Sequence, residues 1–456
     1  VSKQVTVIGG GLAGAEAAWQ LARRSVPVRL FEKRPHRPTP VHTTDLLAEL
    51  VCSNSLRSDR ESNAHGLLKG EMRKLGSLIM SAASEARVPA GQALAVDREV
   101  FASRVTQAIS AIPEITLVRE EIESIPEDGI VVVATGPLTS EALSVSISAF
   151  TGQDHLYFYD AVSPVVEADT IDQTKVFRAS RYGKGGDDYI NCPLNEEEYG
   201  RFYAAILSAA TTDLHEIDKR LFFESCLPIE VMARRGGDTL RFGPMKPVGL
   251  VDPRTGREPF AVVQLRQDNL AASLFNLVGF QNQLRWGEQR RVLRLIPGLE
   301  QAEFARYGMI HRNTYINAPA VLKPTLQTRQ RDDLLFAGQI SGVEGYTESA
   351  ASGLLAGINA ARLALGSDPE VAPRTTALGS LAHYISFSNP VNYQPSNISF
   401  GLLPDLDRPI RNKRERRQAI VQRALVDIET FAASMGEHHL TSPSKGHPHT
   451  TRATDA

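Results

Sequence analysis

The sequence predicts an α/β fold: a Rossmann-type nucleotide-binding domain built from two separated stretches of chain, with an α+β domain inserted between them. Three observations predict it. The apolar run Val5-Thr6-Val7-Ile8 leads directly into Gly9-Gly10-Gly11-Leu12-Ala13-Gly14 and then into a helical segment, 15–22. A second apolar run, Val28-Arg29-Leu30-Phe31, ends on Glu32, 18 residues after Gly14. Far along the chain, Leu334-Leu335-Phe336-Ala337-Gly338 makes another strand-to-glycine junction, followed by Gly342, Gly345, Tyr346 and a small-residue helix over 349–363.

Each part of the first unit has a physical reason. Gly9 permits the tight turn, Gly11 lets a pyrophosphate approach the backbone, and Gly14 lets helix and strand pack closely. With Gly10, Leu12 and Ala13 they form a phosphate cradle at a helix N-terminus, where free N–H groups and the positive dipole end meet the anion. Glu32 is placed to accept hydrogen bonds from a ribose hydroxyl. The 35–40 segment (Pro-His-Arg-Pro-Thr-Pro) reads as a stiff loop, and 44–49 and 66–83 read as helices. Ile130-Val131-Val132-Val133 is a strand ending in Ala-Thr-Gly. The junction at Gly338, Gly342 and Gly345 aims a second helix N-terminus at the cofactor. That second glycine-rich return favours FAD over NAD.

The predicted domains are therefore 1–165 with 319–435 for FAD and 166–318 for an inserted substrate domain. The insert mixes β-type runs (157–159, 175–177, 260–263) with basic loops, and it has no second G-x-G-x-x-G after a strand. The Ser-, His-, Pro- and Thr-rich stretch 436–456 reads as a disordered tail.

A hydrophobic content of 42% and a charged content of 22% are those of an ordinary globular chain. No run of 18 apolar residues suggests a membrane span. The first strand begins at Val5, so no signal peptide is expected and the cytoplasm is the expected location. The net charge of −2 hides two basic segments: 231–294 carries eleven Lys/Arg against five Asp/Glu, and 408–423 carries seven against one. Both fit a polyanionic partner and equally fit solvated surface.

Cys52, Cys192 and Cys226 lie far apart with no C-x-x-C, so no metal site or redox pair is expected. Cys52, in Val51-Cys52-Ser53-Asn54-Ser55, reads as a core filler or as a thiol beside the flavin. Cys226 precedes Pro228, which bars a continuing helix. Arg234, Arg235 and Arg241 follow and would favour its thiolate, so it reads as structural or as reactive. Cys192 reads as structural. His311 reads as a ligand-stacking or a structural histidine.

Taken together, 7–18, 51–55, Glu224-Ser225-Cys226-Leu227-Pro228-Ile229-Glu230, Phe242-Gly243-Pro244-Met245-Lys246-Pro247-Val248-Gly249-Leu250 and 342–349 resemble the folate- and FAD-dependent tRNA (uracil-5-)-methyltransferases, over nearly the whole chain to about residue 435. The resemblance implies ribothymidine formation in the tRNA T-loop. It also implies 5,10-methylenetetrahydrofolate as one-carbon donor, FAD as hydride carrier, NAD(P)H as reductant, and no obligate protein partner. It implies Cys226 as nucleophile on uracil, Cys52 beside the flavin, and His311 where the pterin stacks. Arg285 and Arg291 are expected to contact RNA. The chemistry agrees: a thiolate added at C6 turns C5 into an enolate carbon, and reducing a methylene unit to methyl takes two electrons that a flavin can deliver. Three alternatives stay open. One is the related FAD- and folate-dependent enzyme of the tRNA wobble uridine, a longer protein with a helical extension and a GTPase partner. The second is an FAD oxidoreductase of small metabolites, and the third a non-catalytic flavin-containing RNA-binding protein.

Overall fold

A computed structural model describes residues 3–39, 41–153, 156–212 and 227–435. Its first layer is a five-stranded parallel sheet. The strand order is Leu334–Phe336, Ile130–Val133, β1 (Val5–Ile8), β2 (Val28–Phe31) and Ile115–Val118. Ile130–Val133 is buried at every position, as a parallel strand covered on both faces must be. Register is direct: Val5 pairs with both Val28 and Ile130, and Val131 with Leu334. Strands far apart in sequence thus lie side by side, and their C-terminal ends open on the same edge.

Helix α1 (Leu12–Ala22) follows β1, and the long helix Tyr346–Ala364 packs along it. Small residues dictate this contact. A Cβ on Gly353 would stand 2.2 Å from the Ala13 carbonyl oxygen, and one on Gly357 2.6 Å from that of Ala17. Two helices that begin after different strands are therefore held parallel and backbone to backbone, which points both N-termini toward the same edge of the sheet.

The second layer is a six-stranded, antiparallel sheet in the order Phe177–Arg178, Tyr189–Leu194, Ala261–Gln267, Leu274–Leu277, Val165–Glu167, Phe304–Arg306. It has its own apolar core, in which Phe202, Phe275 and Phe280 are fully enclosed. A two-stranded ladder of Leu156–Ala161 with Ile310–Tyr315 lies in sequence at both passages between the units.

Two expectations need correction. Residues 44–49 are not a helix. The Glu49 carboxylate takes the N–H and hydroxyl groups of Thr43 and Thr44 at 2.8–3.1 Å, Leu47 N–H goes to Thr106, and Ala48 adopts φ 54° and bonds to the Gly10 carbonyl. The donors a helix would need are spent outside it. Residues 66–83 are two helices, Ala64–Lys74 and Leu78–Glu85. They break at Gly76 (φ 69°), whose carbonyl receives the Trp19 indole. Ser77 then caps Met80, and the buried Glu16 carboxylate accepts from Ser77 and Ile79. The 436–456 tail lies outside the described residues.

Candidate functional site

At the C-terminal edge of the parallel sheet lies a cleft of about 340 Å³. One wall is the glycine turn after β1. Gly9 sits at φ 104°, where a Cβ would strike the Ala134 oxygen at 2.6 Å. Gly14 faces inward, its missing Cβ only 1.8 Å from the Gly9 oxygen. At Gly11 an added Cβ would meet nothing within 4 Å, because that position opens into the cleft. Gly9, Gly10, Gly11, Leu12 and Ala13 line it; Gly14 supports the turn from behind.

Two helix N-termini reach this space. α1 starts after Gly11 and the long helix after Gly345 (φ 111°), and neither has a side-chain cap. Their first-turn N–H groups are the natural partners of an anionic ligand. Glu32, at the end of β2, completes this end. Its carboxylate accepts from the Gly10 N–H (3.0 Å) and from the backbone and side chain of Arg34 (3.0 Å each). Burial pushes its pKa up, but the Arg34 hydrogen bond and charge outweigh this and hold it below the usual carboxylate range. An ionised, oriented acceptor facing the cleft suits a ribose diol. The residues present thus fit an adenine dinucleotide: open backbone at Gly11, two uncapped helix ends, and an acid at the strand tip.

The other end is built by Cys52, Ser53, Arg57, Glu344, Gly345 and Tyr346. The phenol oxygen of Tyr346 accepts the N–H groups of Cys52 (2.7 Å) and Ser53 (3.2 Å). Full burial, with Cys52 adding, raises the Tyr346 pKa well above its ordinary value, so the phenol stays protonated. The same loop is gripped from the antiparallel sheet. Arg266 is buried and donates to Asn54 Oδ1 and Ser53 Oγ (2.9 Å each). Asn54 returns a bond to the Gln267 carbonyl (2.9 Å), and Arg306 donates to the Val51 carbonyl (3.2 Å). Burial and the neighbouring Arg98 bring the Arg306 pKa down to about 10. Cys52 thus sits half-buried in the cleft wall, on a loop bonded by both units.

Arg57 and Glu348 line the cleft and His65 stands between them; neither Arg57 nor His65 carries a local sequence signal for a role here. Arg57 adopts φ 63° and approaches His65 Nε2 (3.4 Å), while His65 Nδ1 lies 3.2 Å from Glu348. Burial opposes ionisation of Glu348, but the His65 hydrogen bond and the charges of His65 and Arg57 win and hold its pKa low.

The structure does not gather every expected residue here. Gly338 lines the cleft at φ 79° with its N–H on Ser352. Gly342 faces away: a Cβ there would stand 2.2 Å from the Tyr393 hydroxyl, so its glycine serves packing. Arg285 and Arg291 are exposed on the second unit, flanking and within the helix Trp286–Leu293, and do not line the cleft. Arg291 pairs with Glu288 at 2.6 Å. His311 is described only in its backbone, opposite Asp160 in the two-stranded ladder. Cys226 lies outside the described residues. The segment on its C-terminal side is anchored, however: the Ile229 N–H donates to the carbonyl of Gln281, which lines the cleft, and the Gln283 N–H to Glu230. Cys192 is enclosed in the second core, where burial pushes its thiol pKa up. Among the described residues there is no cluster of three or more His, Cys, Asp or Glu that could hold a metal, and no helix long and apolar enough to cross a membrane.

Residues 4–368 match the family model "Glucose inhibited division protein A". The chain is 60% identical over 443 residues to the methylenetetrahydrofolate–tRNA-(uracil-5-)-methyltransferase TrmFO of Symbiobacterium thermophilum, covering 96% of this chain and 98% of that one. It is 59% identical over 428 residues to the protein of that name from Anoxybacillus flavithermus, covering 94% and 99%. Among solved structures, GidA of Aquifex aeolicus superposes with a TM-score of 0.70 at 18% identity, covering 95% of this chain and 74% of that one, a likeness of fold.

Proposed function

The chain belongs to the family of methylenetetrahydrofolate–tRNA-(uracil-5-)-methyltransferases, and we propose that it methylates C5 of the T-loop uridine of tRNA in the cleft described above. It is a folate-dependent tRNA uracil-5-methyltransferase and a flavoprotein. The observation that carries the reading is the convergence, in one cleft, of a dinucleotide cradle with a thiol loop held by both units.

The backbone at Gly9–Ala13, the two helix N-termini and Glu32 would hold FAD. In its reduced form it would supply the two electrons that convert methylene to methyl. NAD(P)H is the proposed external reductant, because each turnover consumes those electrons. Cys226 is the proposed nucleophile. Its thiolate adds to C6 of uracil, C5 becomes an enolate carbon, and C5 attacks the folate-derived one-carbon unit. The bond from Ile229 to Gln281 supports this role by tying the segment after Cys226 to the cleft wall.

The C5 proton must then leave before the thiolate departs from C6. Tyr346 is a poor base because burial keeps it protonated. Glu348 is already engaged by His65 and by the Ile398 N–H. Glu344, which lines the cleft and accepts from Gln339 Nε2 (3.0 Å), is the carboxylate to test. Cys52 is proposed to flank the flavin, and His311 to meet the pterin. Arg285 and Arg291 are proposed phosphate contacts, with the rest of the basic surface offsetting the cost of extruding the uridine, a few kcal/mol.

We divide the chain accordingly into an FAD domain, 1–165 with 319–435, and an inserted RNA domain, 166–318. Two separate apolar cores support that division. We propose the cytoplasm as its location, where a tRNA substrate would be met.

The direct test is incubation of an unmodified tRNA transcript with the holoenzyme, methylenetetrahydrofolate and NAD(P)H. The expected result is 5-methyluridine at the T-loop position, with tritium released from C5-labelled uridine. A modified wobble uridine, or no RNA product, would overturn the reading.

A further inference from the structure

The second unit carries an aromatic feature that the reaction chemistry leaves unused. Phe304 and Tyr307 stack with ring centroids 5.4 Å apart and 28° between planes, and Tyr307 stacks with Trp286 at 6.4 Å and 23°. Trp286 is the outer member and is 65% exposed. A large ring that rests on Tyr307, itself stacked on Phe304, and stays mostly open to water has area left for a further stacking partner. The surroundings are basic. Arg285 precedes Trp286, and Arg290 and Arg291 are exposed on the helix that begins with it. The single acid of that helix, Glu288, is engaged with Arg291.

The feature lies next to the cleft by two routes. Arg306, between Phe304 and Tyr307 in sequence, bonds to the Val51 carbonyl beside Cys52. Gln281, on the cleft wall, precedes Trp286 by five residues, which span no more than roughly 18 Å.

We propose that Trp286, supported by Tyr307 and Phe304, is a stacking platform for an unpaired base of the RNA next to the target uridine, with Arg290 and Arg291 on the adjoining phosphates. A base offers a π-face that stacks on an aromatic ring whatever its identity, and arginines beside the ring match the charge of the strand. An apolar protein segment would gain nothing from that density of guanidinium groups. Extruding the uridine unstacks its neighbour, and the platform gives that neighbour a replacement surface. The proposal rests on tRNA being the substrate.

The test uses fluorescence of the holoenzyme. The sequence has two tryptophans, and Trp19 is held in the first unit by its bond to the Gly76 carbonyl. A Trp19→Phe enzyme therefore reports Trp286 alone. Titration with a T-arm hairpin RNA should quench its emission to saturation. Trp286→Ala should weaken hairpin binding about tenfold or more with the salt dependence unchanged, and Trp286→Phe should recover most of the loss. Arg290→Gln should instead flatten the salt slope by about one. Emission unmoved at saturating RNA, or Trp286→Ala binding within about twofold of wild type, would overturn the platform while leaving the methyltransferase reading standing. Self-association of the wild type that Trp286→Ala abolishes would assign the rings to a contact between copies and overturn it too. A wild-type enzyme that neither binds nor methylates the hairpin would overturn the functional reading, and the platform with it.

Discussion

The two units build binding surfaces from different materials. In the parallel-sheet unit the recognition elements are mostly backbone: a turn at Gly9, an open approach at Gly11, two uncapped helix ends, and one oriented carboxylate. In the antiparallel unit they are side chains: Arg266 and Arg306 on the Cys52 loop, and Trp286, Tyr307 and the neighbouring arginines on the surface. Backbone recognition is written in glycines at fixed spacing, because each missing Cβ has a local cause. Side-chain recognition is assembled across the fold. Arg266 meets Asn54 over a separation of 212 residues, and no local pattern marks either one.

Perturbing the two kinds of surface should give effects of different kind and size. The largest belongs to the backbone site. Gly11→Val puts a branched side chain into the space left open for the pyrophosphate, so the purified protein should lose its yellow colour and FAD absorbance. Full FAD occupancy in that variant would show that the cradle does not hold the cofactor.

The next concerns the seam between the units. Arg266→Met removes a buried charge but takes its donor from the buried Asn54 Oδ1, a loss of about 1–3 kcal/mol for a buried group left unsatisfied. We expect a lower Tm, a disturbed flavin spectrum and slower turnover, with the Cys226 adduct to RNA retained. A wild-type flavin spectrum together with unchanged Tm would mean that the grip on the Cys52 loop is incidental.

The two thiols sharpen the contrast by reactivity. Burial raises the Cys192 pKa, so it should resist iodoacetamide in the native enzyme at pH 8, whereas Cys52, half-buried and lining the cleft, should react. Peptide mapping after alkylation distinguishes them, and prompt labelling of Cys192 would contradict the enclosed core. The smallest effect is at the exposed surface. Arg291→Gln loses at most one phosphate contact and its pairing with Glu288, so RNA affinity should fall modestly, with the salt slope reduced by about one.

This contrast also explains what the chain made legible. The Gly9 to Glu32 unit and the return at Gly338 could be read because strand, glycines, helix and acid follow one another in register. The helix expected over 44–49 failed because Ala48 adopts φ 54° and gives its N–H to the Gly10 carbonyl instead of to Thr44, a long-range competition that composition does not display. Gly342 looked like part of the cradle, and its reason is a tyrosine 51 residues away. Glu348 lies in the 342–349 stretch, but Arg57 and His65 reach it only once the long helix is in place, so no local pattern announces those two.

If the cleft serves uracil chemistry with Cys226 as nucleophile, one measurement reveals it most directly. A T-arm RNA carrying 5-fluorouridine at the target position is incubated with the holoenzyme and methylenetetrahydrofolate. Fluorine cannot leave C5 as a proton does, so the thioether at C6 should persist as a slow-migrating protein–RNA band. Wild type and Cys192→Ala should form it, and Cys226→Ala should form none and should not methylate tRNA. A normal adduct in Cys226→Ala, mapped by mass spectrometry to another residue, would contradict the account.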